Sequence, residues 1–236
     1  QLRYVYEKDL RAFPTMSVIL GYPGFWVSDP RSTVDWVKVV HGEQRLTLHA
    51  PLPVSGVVTG RTRNTHVIDK GADKGAIIVS ERTLHDEDGQ CLATLRSSTF
   101  CRGDGGFGQG DASPQALPAA PGAEPELRCE LRIPPSAALL YRLNADRNPL
   151  HADPEVARQA GYPRPILHGL CSYGMAAHAI VKTFCVYDPS RLTSLNTRFS
   201  ASVYPGETFQ CDMWRTPDGE IRFIARAKER NPAAAR

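Results

Sequence analysis

No run in this chain approaches the roughly 18 to 20 consecutive apolar residues that span a bilayer. The longest apolar stretch of the second half, Met175 to Val181, is broken by His178. No membrane partner is therefore expected. An excess of one charge sign is also missing: 28 Lys and Arg face 25 Asp and Glu, a net of +3. That argues for no nucleic-acid surface, although it suits an anionic small molecule. The first residues, Leu2 to Leu10, lack the apolar core of a secretory signal because Arg3, Glu7, Lys8 and Asp9 interrupt them. Cysteine occurs six times, at 91, 101, 129, 171, 185 and 211, and never as C-x-x-C. A chain of 236 residues buries enough apolar surface to dispense with disulfides, so reduced thiols and a reducing compartment are expected.

What is abundant is glycine and proline, and they are unevenly placed. Residues 102–126 read as an R-G-D-G-G-F-G-Q-G-D run followed by S-P-Q-A-L-P-A-A-P-G-A-E-P, a linker composition. It separates a first half, 1–101, from a second, 127–236. In the first half, Arg45–Ala50, Gly56–Val67, Ala76–Leu84 and Cys91–Phe100 read as strands, with a turn at Asp86 to Gly89. Successive strands without intervening helices predict an antiparallel meander, hence an α+β fold. The second half predicts a short helix near Ser136–Leu143, a helical turn at Pro154–Ala160 and a longer helix over Gly169–Phe184. Strands follow near Leu192–Phe199, Thr208–Trp214 and Ile221–Ala227. Two echoes hint at duplication. Leu46 to Gly56 parallels Asn196 to Gly206, and Val40-His41-Gly42 parallels Leu167-His168-Gly169.

The chemistry concentrates between Tyr141 and His151, Y-R-L-N-A-D-R-N-P-L-H. Asp146 and His151 are five residues apart, off-register for one helical face, and Pro149 opposes a continuous helix. A turn folded at Asn148-Pro149 can aim the carboxylate and the imidazole at one small molecule such as water. An acid beside a base is what proton transfer near neutral pH requires. Further on, G-Y-P-R-P-I-L-H-G-L-C-S-Y-G spans Gly161 to Gly174. There Gly169 opens the long helix, where free N–H groups and the dipole favour a developing oxyanion. The first half has no counterpart of the D-x-N-P-x-H turn, so one catalytic half and one degenerate half are expected.

Tyr141 to His151 with Ala157 resembles the signature of the MaoC-like (R)-specific enoyl-CoA hydratases. Asp146, Asn148, Pro149, Leu150, His151 and Ala157 match it, while Asn144 and Ala145 depart from its small-residue and glycine positions. P-R-P-I-L-H-G-L-C-S-Y-G, V-V-H-G-E-Q, D-K-G at Asp69 and F-C-R-G-D-G-G-F-G are also similar, in the order of the two-domain, eukaryotic-type members. The resemblance implies a double hot-dog: two antiparallel sheets, each associated with a central helix, the N-terminal repeat degenerate and sheltering the acyl chain. It implies reversible hydration of trans-2-enoyl-CoA to (3R)-3-hydroxyacyl-CoA, in acyl-CoA or sterol side-chain metabolism. Asp146 and His151 would activate water, Asn148 support the turn or the water, and the Gly169 N–H polarise the thioester carbonyl. No cofactor or metal is implied, coenzyme A being part of the substrate. A homodimer is expected, in the cytoplasm, or in the peroxisome for a eukaryotic source.

Other residues carry weaker signals. Arg191 and Arg198 are candidates for the coenzyme A phosphates, against an ordinary solvated surface. His168 reads as a brace for the loop, His178 as helix packing and Cys171 as a small core residue. His151 with Asp153 lacks a further ligand at metal spacing. Two alternatives stay open: a hot-dog acyl-CoA thioesterase, and a non-catalytic acyl-CoA-binding subunit.

Overall fold

The computed structural model describes residues 1–144 and 146–230. Four first-half strands form the meander: β1 (Val39–Leu48), β2 (Thr59–Asp69), β3 (Ala76–His85) and β4 (Cys91–Cys101). The second half supplies β5 (Leu127–Arg132), α1 (Ala137–Tyr141), α2 (Pro154–Gln159), α3 (Gly169–Thr183), β6 (Ser194–Arg198), β7 (Thr208–Arg215) and β8 (Ile221–Ala227). All pairings among them are antiparallel. Two of these ranges differ from the sequence reading. Strand β1 starts at Val39 rather than Arg45, its β-branched Val39-Val40 running into a bulge at Gly42. Strand β5, L-R-C-E-L-R, was not anticipated, although its strict alternation is a strand signal.

The sheets do not divide at the linker. One has the order β2-β3-β4-β1-β6, the other β5-β7-β8. Thus β6, from the second half, completes the first-half sheet, pairing with β1 from Glu43↔Arg198 to Thr47↔Ser194. The longer echo fits this arrangement: β1 and β6 each run into a Pro/Gly loop and then a further strand, β2 or β7. The shorter echo does not. Val40-His41-Gly42 lies within strand β1, whereas His168-Gly169 opens a helix.

The long helix α3 sits in one core that both sheets share. Tyr173, Ala176, Ala177 and Ile180 pack with Leu46, Leu84 and Leu95 of the larger sheet and with Phe209, Cys211 and Met213 of the smaller. Its run of alanines lets the strands approach closely, and the buried Tyr173 hydroxyl donates to the Leu195 carbonyl at 2.8 Å, tying α3 to β6. The described first half contains no α-helix. Residues 2–38 form short 3₁₀ turns, of which Pro14–Val18 is buried except at Met16 and contributes Val18 to the shared core. Among the described residues the first half thus sets a 3₁₀ turn, not an α-helix, against the shared core.

Residues 102–126 carry neither helix nor strand among them, yet they are docked at both ends. The Asp69 carboxylate accepts N–H groups from Gly71, Gly106 and Gly108 at 2.7–2.8 Å. At the far end the Trp214 indole donates to the carbonyls of Ala123 and Glu124. All six cysteines are free thiols. No helix of the described residues is long and apolar enough to cross a membrane.

Candidate active site

The sequence after α1 cannot continue as a helix. Asn148 stands before Pro149, and its side-chain oxygen accepts the Leu150 N–H at 3.1 Å, capping a 3₁₀ turn over Pro149–His151. The Asn148 N–H in turn donates to the Asp146 carboxylate at 3.3 Å. Asn148 therefore shapes the turn. The departure at Ala145 lies outside the described residues.

His151 is buried, and its Nδ1 lies 2.9 Å from the Ile166 carbonyl oxygen. A carbonyl only accepts, so Nδ1 carries the proton and Nε2 is left as the free base of a neutral imidazole. Burial lowers the His151 pKa from its ordinary value, opposed by the Ile166 bond and by the Asp146 carboxylate. His168 is fully buried and shares its Nε2 proton with the Asp146 backbone carbonyl at 3.2 Å. Its ring stacks on that of His151 with centroids 3.8 Å apart, and Tyr141 closes the other side at 4.8 Å. Burial and the neighbouring imidazole both lower the His168 pKa. Burial and the stacked neighbour thus both disfavour charging these imidazoles.

A carboxylate oxygen of Asp146 and one ring nitrogen from each histidine lie within 4.8 Å of one another. That spacing admits a water between acid and base. The same three groups also lie at metal-ligand spacing, with the two rings 27° apart. One nitrogen of each is already engaged with a carbonyl.

His168 is also the residue before α3, with φ −57° and ψ 134°, so the same residue links the acid–imidazole turn to the helix start. Gly169, as the first helical residue, has an N–H without an acceptor inside the helix. A Cβ built there would meet the Phe199 ring at 3.6 Å, ordinary contact, so protein packing alone does not demand glycine. Asp146, Asn148, His151 and Gly169 all face one large cleft of about 2050 Å³. Arg191 and Arg198 are exposed on its wall.

The first half contributes walls that the sequence reading did not assign. The Phe199 N–H donates to the Gly42 carbonyl, continuing the β1–β6 contact, and this brings His41 against the Phe199 ring at 5.0 Å. Burial pushes His41 down to about 4, and Asp146 is close enough to oppose that shift. Tyr22 also feels Asp146: burial, with the nearby carboxylate, pushes its phenol up to about 12. No local pattern marks either residue, because each reaches the site only through the pairing of distant strands or the packing of a loop. Cys171 and His178 remain packing residues: burial pushes the Cys171 thiol up to about 11, away from the thiolate a nucleophile needs.

These features define an α+β double hot-dog with an acid–imidazole turn set beside a helix N-terminus. The comparisons give that class a family. Residues 116–233 match the MaoC like domain, and residues 1–103 match the hydratase 2 N-terminal domain of multifunctional enzyme type 2. The chain belongs to the MaoC-like dehydratases, a family of hydro-lyases. It is 45% identical over 199 residues to the enoyl-CoA hydratase ChsH3 of Mycobacterium tuberculosis, covering 84% of this chain and 68% of that one. It is 36% identical over 248 residues to the peroxisomal enoyl-CoA hydratase 2 of Arabidopsis thaliana, covering 98% and 79%. Among solved structures, a MaoC-like dehydratase from Phytophthora capsici superposes with a TM-score of 0.84 at 37% identity, covering 98% of this chain and 83% of that one.

Proposed function

We propose that the chain catalyses the reversible hydration of trans-2-enoyl-CoA to (3R)-3-hydroxyacyl-CoA, with Asp146 and His151 as its acid–base pair. The observation that carries this reading is a buried His151 whose Nδ1 is held by Ile166, leaving Nε2 as the base, with one of its ring nitrogens within 4.8 Å of an Asp146 carboxylate oxygen, in the cleft that also receives the start of α3. Conjugation makes the β-carbon of an enoyl thioester electrophilic. What remains is to deprotonate water and to bear the enolate charge. Water held between Asp146 and His151 gives its proton to Nε2 as its oxygen bonds to the β-carbon. The π electrons move toward the thioester oxygen, which the Gly169 N–H and the dipole of α3 stabilise. The imidazolium then returns the proton to the α-carbon, and the carbonyl reforms. Nothing is oxidised or reduced, so the chemistry calls for no redox cofactor.

Asn148 holds the turn, Arg191 and Arg198 meet the coenzyme A phosphates at the mouth, and the helix-free first half, 1–101, leaves room for the acyl chain. The linker, 102–126, joins it to the catalytic half, 127–236. The relatives include a peroxisomal hydratase, and a peroxisomal or cytoplasmic setting in fatty-acyl or sterol side-chain metabolism suits the same reaction. The test is to add the protein to crotonyl-CoA and follow the conjugated enoyl-thioester absorbance together with free thiol. Loss of absorbance without thiol is expected. Release of thiol would instead identify a thioesterase, and no change a binding subunit.

A further inference from the structure

The first-half end of the cleft holds a cation with no anion beside it. Arg82 stands on β3 opposite Thr62 and Leu95, is only 9% exposed, and lines the same cavity as Asp146 and His151. Among the described residues its one side-chain hydrogen bond runs from Nη2 to the Val18 carbonyl. Its Nε is buried without an acceptor, and no described carboxylate lies within ion-pairing distance. The adjacent Glu81 points to the other face of the strand, where Arg63 and Arg96 hold it at 2.8 and 2.9 Å. The Tyr22 ring supports the guanidinium, 5.6 Å from its Cζ, and Tyr22 also lies within the field of Asp146. Tyr22 thus lies near both groups, and its neutral phenol is a further donor.

A buried guanidinium without a carboxylate is costly, and five N–H donors in a planar fork match a carboxylate. The phosphates of coenzyme A are a poor partner, since they need the hydrated mouth where Arg191 and Arg198 are exposed. We infer that Arg82 and Tyr22 form a subsite for a carboxylate at the far end of the acyl chain, making ω-carboxy-enoyl-CoA thioesters the preferred substrates. This rests on the hydratase reading above. A methyl-ended chain of the same length would set hydrocarbon against the unpaired donors.

The experiment compares kcat/KM of the full chain on trans-2-enoyl-CoA pairs of 6 to 12 acyl carbons, one member ending in methyl and the other in carboxylate. At the length that reaches Arg82 the carboxylate member is expected to win by about 10- to 100-fold, the range of a hydrogen bond to a charged group. In Arg82→Met that ratio falls below one, and in Arg82→Lys it is partly kept. Reading the ratio cancels any general loss of activity in the variants. A wild-type ratio of one or less at every length overturns the subsite, whether or not either variant folds. So does a ratio that Arg82→Met leaves unchanged. Crotonyl-CoA separates the two readings: if the wild type hydrates it without preferring the carboxylate, only the subsite is lost, whereas failure on every enoyl-CoA removes the hydratase reading itself.

Discussion

Replacing Gly169 by proline isolates the oxyanion donor with little disturbance to the fold. Proline is disfavoured inside helices because it lacks the N–H and clashes with the preceding turn, but at the first helical position that N–H has no intrahelical acceptor. Gly169 occupies that position in α3. Proline also pushes the residue before it toward extended backbone, and His168 already has φ −57° and ψ 134°. Gly169→Pro therefore removes one hydrogen-bond donor while keeping the helix, its dipole and the His168 contacts. Losing one oxyanion donor costs about 10²- to 10³-fold in kcat, or about 3 to 4 kcal/mol of transition-state stabilisation. Gly169→Ala is the control: it keeps the N–H, and its Cβ meets Phe199 at an ordinary 3.6 Å. The assay is crotonyl-CoA hydration with thermal melting of all three proteins. The reasoning fails if the proline variant melts like the wild type and turns over at a near wild-type rate. It fails equally if alanine is as damaging as proline without loss of stability.

Asp146→Asn should lower kcat by about 10²- to 10⁴-fold, the range for a positioned acid or base. With the acid and base atoms within 4.8 Å, Coulomb attraction to a forming imidazolium is about 3.5 kcal/mol at an effective dielectric of 20, or about 2.5 decades of rate; steady-state turnover checks this. In wild type, kcat/KM should hold flat from pH 8 to 6.5 and fall only below, because burial lowers the His151 pKa. A profile that breaks above pH 7 would contradict the neutral-imidazole assignment. Stability has the same sign. The unfolded chain protonates His41 near 6.5 and the folded chain only near 4. Its contribution is thus complete above 6.5 and lost as pH falls toward 4, so His41→Gln should flatten the acid slope of the melting temperature. Tyr173→Phe should cost about 1 kcal/mol by denaturant unfolding, since it frees the buried Leu195 carbonyl.

Local signals made much of this molecule legible from its sequence. The α3 start follows from Gly169 after a proline-rich approach, and the catalytic turn from Pro149 between an acid and an imidazole. Both are set by residues within a dozen positions of one another. What escaped depends on contacts across the chain. That β6 joins the first-half sheet is a matter of strand pairing over roughly 150 residues, which no window along the sequence reports. Hence His41 and Tyr22 did not register as neighbours of Asp146, nor Phe199 and Arg82 as walls of the same cleft. The H-G echo misled for the same reason. Identical dipeptides took a strand in one half and a helix start in the other, because pairing to β4 and β6 governs Gly42 while burial against both sheets governs Gly169.

His168 ties the two parts of the site to one another. Its Nε2 holds the backbone of Asp146, its ring lies flat on His151, and its own backbone leads into α3. A displacement of the helix start would thereby reach both Asp146 and His151 through one rigid ring. His168→Gln can keep the bond to the Asp146 carbonyl but loses the stack, whereas His168→Ala loses both. If the bond is what positions Asp146, glutamine should recover most of the kcat that alanine forfeits, with KM little changed in either. If stacking on His151 is what counts, the two variants should be equally slow.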